Sequence, residues 1–187
     1  MNNSQPSNLL QYAMRYGTSM GLLWIAKFFI LLLGLFSGNV LLLALGYLVF
    51  MVATLSVPFL AFFMARQFRN RLCGGILNFS SAWLFITFIY LFAALLAAVG
   101  HYVYFQFIDG GGAFFSTLFS LAESNDLSSQ PELKQMFEQS RDLLLSLRPI
   151  DITMQLLSSN ILYGTLQAFF IALFVARRKA PGPKIMG

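Results

Sequence analysis

Four long apolar runs, separated by short polar breaks, dominate the pattern of the chain. They cover approximately residues 17–36, 40–65, 76–105 and 152–176. At 1.5 Å per residue, a helix of about 20 residues crosses the ~30 Å hydrocarbon core of a bilayer. The pattern therefore predicts an all-α integral membrane protein with four transmembrane helices, in a single membrane domain over residues 1–187.

The breaks between the first three runs are short. Ser37-Gly38-Asn39 is typical of a tight turn. Residues 66–71 contain three arginines and no acid, and we predict that they form a basic loop before Gly74-Gly75. Pro58 lies inside the second run, where it predicts a kink. The third run stays apolar to about Ile108, which predicts that its helix tilts or emerges from the membrane.

One polar segment, residues 109–151, holds every acidic residue of the chain. Within it, residues 113–122 are apolar but too few to span, so we expect them on the membrane surface or against the bundle. Residues of about 130–147 have helical periodicity, with an apolar face opposite the acids. We interpret that face as a candidate partner surface, formed by Leu133, Met136, Phe137 and Leu144. Asp151 is placed to cap span four.

The bases outside this segment predict the orientation. The 66–71 loop carries three bases and the tail after residue 176 carries four, whereas the 37–39 turn carries none. Lys and Arg concentrate in short cytoplasmic loops. Both termini are therefore predicted to be cytoplasmic, and residues 109–151 to form an extracytoplasmic helical loop.

Composition supports a membrane protein and excludes several other classes. Hydrophobic residues make up 58 % of the chain and charged residues 10 %, against about 25 % charged in an ordinary soluble domain. The net charge of +5 comes from bases at the ends of apolar runs, without a stripe of interleaved aromatics, so no nucleic-acid partner is expected. One cysteine, Cys73, and one histidine, His101, exclude an internal disulfide and the usual metal clusters.

The usual catalytic motifs do not occur in this sequence. There is no HxxxH pair, no GxSxG and no phosphate-binding glycine loop followed by lysine. We therefore predict no catalytic residue, no cofactor and no metal site, and the sequence does not favour an enzyme.

Small residues recur every four positions in three of the runs. Such stripes let helix backbones approach closely in lipid. The first and the last lie in the same half of the membrane, so we expect spans one and four to touch there; an interface with another subunit is the alternative. The stripes are Gly17/Gly21, Ala93/Ala97 with Ala94/Ala98, and Gly164/Ala168/Ala172/Ala176.

Lys27 is the main anomaly within the spans. It lies about ten residues from the cytoplasmic end of span one, near the bilayer centre, where a charge costs about 3 kcal/mol. Thr54, Thr87 and Gln167 lie at the same depth in the other spans. Two interpretations follow. Either span one lies lower and Lys27 snorkels to an interface, or Lys27 belongs to a polar layer in which it donates to Gln167 and to hydroxyl groups.

Two further polar features lie nearer the outer surface. Asn160, with Ser158 and Ser159, forms a cluster in the outer half of span four, for which we expect hydrogen bonds between helices. His101 is expected at the outer interface beside tyrosines. Lys27, Gln167 and Asn160 are thus the candidate functional polar residues.

The two ends of span three resemble a known family. The sequence GGILNFSSA opens it over residues 74–82, and YVYFQFID closes it over residues 102–109. These motifs, within a likeness over about residues 10–178, resemble the domain-of-unknown-function 4199 family of small four-span bacterial inner-membrane proteins. Three glycines at 110–112 stand where the family pattern has a proline, which implies a looser turn. The resemblance implies a multi-pass protein of the bacterial cytoplasmic membrane and no activity. Through neighbouring genes it also implies a polyprenyl-phosphate glycosyltransferase as a partner.

Two functions follow from these features. The first is a non-catalytic accessory or scaffold subunit of a membrane complex, because the apolar face of the 130–147 helix needs a surface to cover it. The alternative is a small transporter or lipid-handling protein that uses the polar layer around Lys27. The partners expected are the lipid bilayer and a second membrane protein.

Overall fold

The computed structural model describes residues 5–109, 112–124 and 131–177, and the side chains of residues 9–109, 112–121 and 138–177. Its helices are α1 (Gln5–Phe36), α2 (Val40–Leu72), α3 (Phe79–Val103), α4 (Ala113–Ser124), α5 (Pro131–Ser146) and α6 (Pro149–Val175). A π-helical segment, Tyr104–Ile108, continues α3.

Four of these elements are long and apolar enough to cross a membrane. The candidate spans are Leu9–Phe36, Val40–Leu72, Phe79–Ile108 and Pro149–Val175. The chain is therefore a multi-pass, all-α membrane protein, which confirms the predicted architecture. The predicted segment 113–122 corresponds to α4, and the predicted helix 130–147 corresponds to α5.

The second span is longer than the sequence pattern indicated. Residues 66–71, predicted as a basic loop, form the last turns of α2, which ends at Leu72. Arginine is a good helix former, so three arginines alone do not end a helix. The break comes at Gly74 and Gly75, where φ is +60° and +83° and glycine has no steric penalty.

The central helix of the bundle is α3. Both α1 and α6 pack along it, and α2 packs against α1. The side chains of Ala93, Ala94 and Ala97 are completely buried. Because these small residues face more than one direction on the same helix, α3 accommodates a closely packed neighbour on each side.

The predicted contact between spans one and four is wrong. Over the described residues, α1 and α6 do not pack against each other. Each glycine stripe lies on α3 instead: a Cβ atom at Gly17 would lie 2.6 Å from Phe92 Cβ, and one at Gly164 would lie 2.7 Å from Tyr90 Cβ. The stripes predicted close packing, but equal depth in the membrane did not identify the partner helix.

Arg69 joins α2 to α6 at the end of the bundle where α1 begins and α6 ends, which we call the terminal end. Its side chain is 4 % exposed, and Nη1 donates to the Val175 carbonyl at 2.7 Å. Nε donates to Asn70 Oδ1 at 3.0 Å. Nearby, Leu77 and Arg177 form an isolated antiparallel bridge. The bond from Arg69 Nη1 satisfies the Val175 carbonyl, which lies in the last turn of α6 and has no partner within its own helix.

Asp109 organises the opposite end, which we call the loop end. Its carboxylate accepts hydrogen bonds from the backbone N–H groups of Gly112 and Phe114, each at 2.8 Å, and from the Tyr104 hydroxyl at 3.2 Å. Asp109 is 6 % exposed. It therefore anchors the start of α4 to the π-helical segment.

The rest of the loop end leads from α4 to α6. Over the described residues, α5 packs against α4 and against none of the four spans. Of the predicted partner face, Leu133, Met136 and Phe137 lie outside the described side chains, and Leu144 is half-buried. Asp151 lies in the first turn of α6, where its carboxylate accepts from the backbone and the side chain of Arg148.

Candidate functional site

Lys27 faces an internal crevice of the bundle and is half-buried. Its Nζ donates to Thr54 Oγ1 on α2 at 2.9 Å. The same Nζ lies 5.0 Å from the centroid of the Phe50 ring and 5.7 Å from that of Trp24. Aromatic faces attract a cation, most strongly away from water. One hydroxyl and two rings therefore hold the ammonium group in place.

The Thr54 hydroxyl is oriented to receive this bond. It donates its own proton to the Phe50 carbonyl at 2.7 Å, one turn earlier in α2. A hydroxyl that donates to its helix backbone still has lone pairs to accept with. Thr54 is thus fixed as an acceptor, and Lys27 keeps two N–H groups for another partner.

Gly164, Tyr90 and Gln167 form the opposite wall. The absence of a side chain at Gly164 lets the Tyr90 ring lie against α6. From there, the Tyr90 hydroxyl donates to Gln167 Oε1 at 2.9 Å. Because Gln167 accepts through its oxygen, its amide N–H groups remain available.

The crevice between these walls has a volume of about 530 Å³. Sequence reasoning selected Lys27, Gln167 and Asn160, and the structure places all three in its lining. Most of the remaining lining is apolar or aromatic, including Phe28 and Leu156. Cavities of roughly 300–1,000 Å³ with a few polar groups in an apolar wall are typical of small-molecule sites.

The detailed contacts differ from the predicted polar layer. Lys27 donates to the Thr54 hydroxyl, as predicted for a hydroxyl group at that level, but the predicted bond from Lys27 to Gln167 is wrong. Thr87 does not line the crevice, and its hydroxyl has no hydrogen-bond partner among the described residues. Asn160 lines the crevice without a hydrogen bond inside the described part of the chain, in place of the expected bond between helices.

The loop end of the crevice is closed by aromatic rings. Phe105 from the π-helical segment stacks on Phe115 of α4, with centroids 6.2 Å apart and planes 7° apart. Phe28 packs edge-on against Tyr104 at 5.3 Å. Because Asp109 anchors the start of α4, it also helps to position the α4 ring that closes this end of the crevice.

Two polar groups in the wall, on Trp24 and His101, were not among the candidate functional residues of the sequence. Trp24 is 7 % exposed and His101 is 9 % exposed. Neither Trp24 Nε1 nor His101 Nδ1 has a hydrogen-bond partner among the described residues. His101, expected at an interface, packs edge-on against Phe28 with centroids 4.5 Å apart. Buried polar atoms are usually paired, so these two mark an unusual region of the bundle.

The charge of the crevice is positive and uncompensated by the protein. No Asp or Glu precedes Asp109 or follows Asp151 in the whole sequence. Among the described residues, no group of three or more His, Cys, Asp or Glu side chains could hold a metal ion. The arrangement therefore suits an anion better than a cation.

Comparison with protein families gives one result. The model of a family described as "Protein of unknown function (DUF4199)" matches residues 15–177. No curated protein and no solved structure matches the chain. The match covers the last three candidate spans completely, the first span from residue 15 onwards, and every residue of the crevice lining, and we conclude that this chain belongs to the DUF4199 family.

Proposed function

We propose that this protein binds an anionic amphiphile in the crevice and acts as a lipid-handling membrane protein. The observation that carries the proposal is Lys27, a cation inside a span with no carboxylate to pair with it. A charge at that depth costs about 3 kcal/mol on insertion scales and is a functional feature by default. A bound anion would offset much of that cost.

The depth of Lys27 supports an intramembrane site. It precedes Phe36, the last residue of α1, by nine residues (36 − 27), or about 14 Å along the helix. Half of a ~30 Å hydrocarbon core is about 15 Å. A ligand that reaches Lys27 must therefore carry an apolar part compatible with the bilayer interior.

The packing of α2 favours entry from the lipid. Apart from Gly46, which packs on α1, the buried residues of α2 lie between Val57 and Arg69, towards the terminal end, where Arg69 bonds to α6. Nearer the loop end, Thr54 on α2 and Tyr163 on α6 line the crevice and are exposed. The crevice is therefore open between α2 and α6 on the side that a bilayer would cover.

Trp24 provides a direct test, because it lies beside Lys27 and the chain has only two tryptophans. In a Trp83→Phe background, Trp24 is the single reporter. Dibrominated stearate, a carboxylate with one acyl chain, should quench its fluorescence saturably in nanodiscs. Lys27→Met should weaken the apparent affinity at least about tenfold, because a desolvated charge pair loses one partner.

Lys134→Met is the matched control, since it removes the same charge from α5, outside the spans. It should leave the quenching curve unchanged. The methyl ester of the brominated stearate should quench Trp24 of the wild type only as weakly as the acid quenches Trp24 of the Lys27→Met variant. Equal quenching of wild type and Lys27→Met by the acid would refute the proposal.

The accessory or scaffold role is the second candidate, supported by the position of α5. This helix packs only against α4 among the described elements, and Leu143 on it is 64 % exposed. Leu133→Glu with Phe137→Glu should then remove a partner that co-purifies with wild type in mild detergent. Identification of that partner as a polyprenyl-phosphate glycosyltransferase would agree with the family resemblance.

Gln135→Glu with Gln139→Glu is the matched control for that experiment. It adds the same two charges at register positions on the opposite side of α5. Loss of the partner in both double variants would indicate a general charge effect and would contradict a specific partner face.

We further propose that the terminal end is cytoplasmic, in a bacterial inner membrane. Five described arginines lie at this end, and no acidic residue precedes Asp109 or follows Asp151. Short segments rich in Lys and Arg remain on the cytoplasmic side. The arginines are Arg15, Arg66, Arg69, Arg71 and Arg177.

A further inference from the structure

A second cavity, of about 440 Å³, lies between α1 and α2 at the terminal end. It is separate from the crevice and shares no lining residue with it. Its polar lining consists of Tyr12, Arg15, Tyr16 and Ser19 from α1, and Gln67 and Arg71 from α2. We call it the arginine pocket.

The two guanidinium groups of the arginine pocket are not used by the rest of the protein. Neither Arg15 nor Arg71 forms an ion pair or donates a side-chain hydrogen bond within the described part of the chain, and both are exposed. Arg69, close by in sequence, differs in both respects, because it is buried and bonded to Val175. Arg69 therefore has a structural role, whereas the pocket arginines can bind a ligand.

The depth of the pocket corresponds to lipid headgroups. Arg15 precedes Phe36 by 21 residues (36 − 15), or about 32 Å along α1. The hydrocarbon core is about 30 Å thick, so Arg15 lies near its boundary if Phe36 lies at the other. Tyr12 and Tyr16 flank Arg15, and tyrosines collect at this interface.

We propose that the arginine pocket binds the phosphate group of an anionic phospholipid. Guanidinium forks match phosphate oxygens with paired N–H donors, and two arginines can bind different oxygens of one phosphate. Gln67 supplies an amide donor in the same lining. Basic pockets between spans on the cytoplasmic side commonly hold lipid headgroups. This site is independent of Lys27 and does not require the crevice to bind a ligand.

The test uses the full chain in phosphatidylcholine micelles titrated with phosphatidylglycerol, with bound lipids counted by native mass spectrometry. Arg15→Gln with Arg71→Gln should weaken phosphatidylglycerol retention at least about tenfold, because each lost bond is charge-assisted. Arg66→Gln with Arg177→Gln removes two charges from the same end but outside the pocket, and should retain the lipid as wild type does.

Three outcomes would overturn the proposal. Equal loss in both double variants would indicate general attraction of anionic lipid to a basic end, and no loss in either would mean that the pocket binds no phosphate. Displacement of the lipid from wild type by millimolar inorganic phosphate would assign the site to a soluble phosphate compound and overturn the lipid assignment.

A third variant keeps the test decisive if the Gln variant fails to fold. Arg15→Lys with Arg71→Lys preserves both charges but removes the paired donors. Its phosphatidylglycerol retention should be weaker than that of wild type and stronger than that of a folded Gln variant. Retention equal to wild type would contradict recognition by guanidinium groups.

Discussion

Gly164→Ala tests how the crevice wall is built. The new Cβ would lie 2.7 Å from both Cβ and Cγ of Tyr90, whereas ordinary carbon contacts are 3.4 Å or longer. Tyr90 Cβ is attached directly to the α3 backbone, so the clash can be relieved only if α3 and α6 move apart. Overpacking of this kind costs about 1–3 kcal/mol, and the helix preference of alanine returns up to about 1 kcal/mol. We expect a net loss of about 1–2 kcal/mol in the free energy of unfolding.

The assay is thermal unfolding in nanodiscs, followed through Trp24 in the Trp83→Phe background. The Trp24 and Tyr90 ring centroids are 6.3 Å apart, so a displaced Tyr90 should also change the Trp24 emission spectrum. Gly164→Ala should also weaken the quenching of Trp24 by brominated stearate, because the Tyr90 hydroxyl positions Gln167.

Gly100→Ala is the control within the bundle. Its Cβ would lie 3.0 Å from Ile25 Cγ1 and 3.1 Å from Ile25 Cδ1, and these side-chain atoms can move by a few tenths of an ångström. It should therefore cost less than Gly164→Ala and leave Trp24 unchanged. If Gly164→Ala unfolded at or above the wild-type temperature with an unchanged Trp24 spectrum, the close packing of Tyr90 on α6 would be wrong.

Three other changes test the two ends of the bundle. Arg69→Met should lower the free energy of unfolding by about 2 kcal/mol, since it leaves the Val175 carbonyl without its charged donor. Thermal unfolding measures this loss, and an unchanged midpoint would refute a stabilising bond between α2 and α6. Asp109→Ala should cost about 1–2 kcal/mol and speed hydrogen exchange in the first turn of α4, because two backbone N–H groups lose their acceptor; normal protection there would contradict the cap. In a Cys73→Ser background, Ser37→Cys should react with a membrane-impermeant maleimide in intact cells, and lack of labelling would contradict a cytoplasmic terminal end. Native Cys73 is a poor probe, because burial raises the pKa of its thiol and lowers its reactive fraction.

The crevice could be predicted in content but not in contacts. Lys27, Gln167 and Asn160 stand out in the sequence because polar side chains are costly within apolar runs. Their depth along the spans placed Lys27 and Gln167 near one level and Asn160 nearer the outer surface, and all three line one cavity. Depth does not give the rotation of a helix about its axis, however. It therefore could not show which polar group at that level Lys27 contacts, and in the structure that group is Thr54.

Arg69 shows the same limit at the terminal end. In the sequence it is one of three arginines in a short basic stretch, with nothing to separate it from Arg66 and Arg71. Only the approach of α6 to α2 buries it and gives it the Val175 carbonyl. Its neighbour Arg71 lies in the arginine pocket because the same helix turns it towards α1.

The sequence by itself determined that four helices cross the membrane and that Lys27 lies in one of them while no acidic residue precedes Asp109 or follows Asp151. These properties depend on length, hydropathy and charge, each of which is local to the chain. Only the tertiary structure decided that α3 is central and that α1 and α6 each pack on it. Lipid is as apolar as the spans, so hydrophobicity does not determine which helices pack together. The close fit of their surfaces, such as Gly164 against Tyr90, determines it.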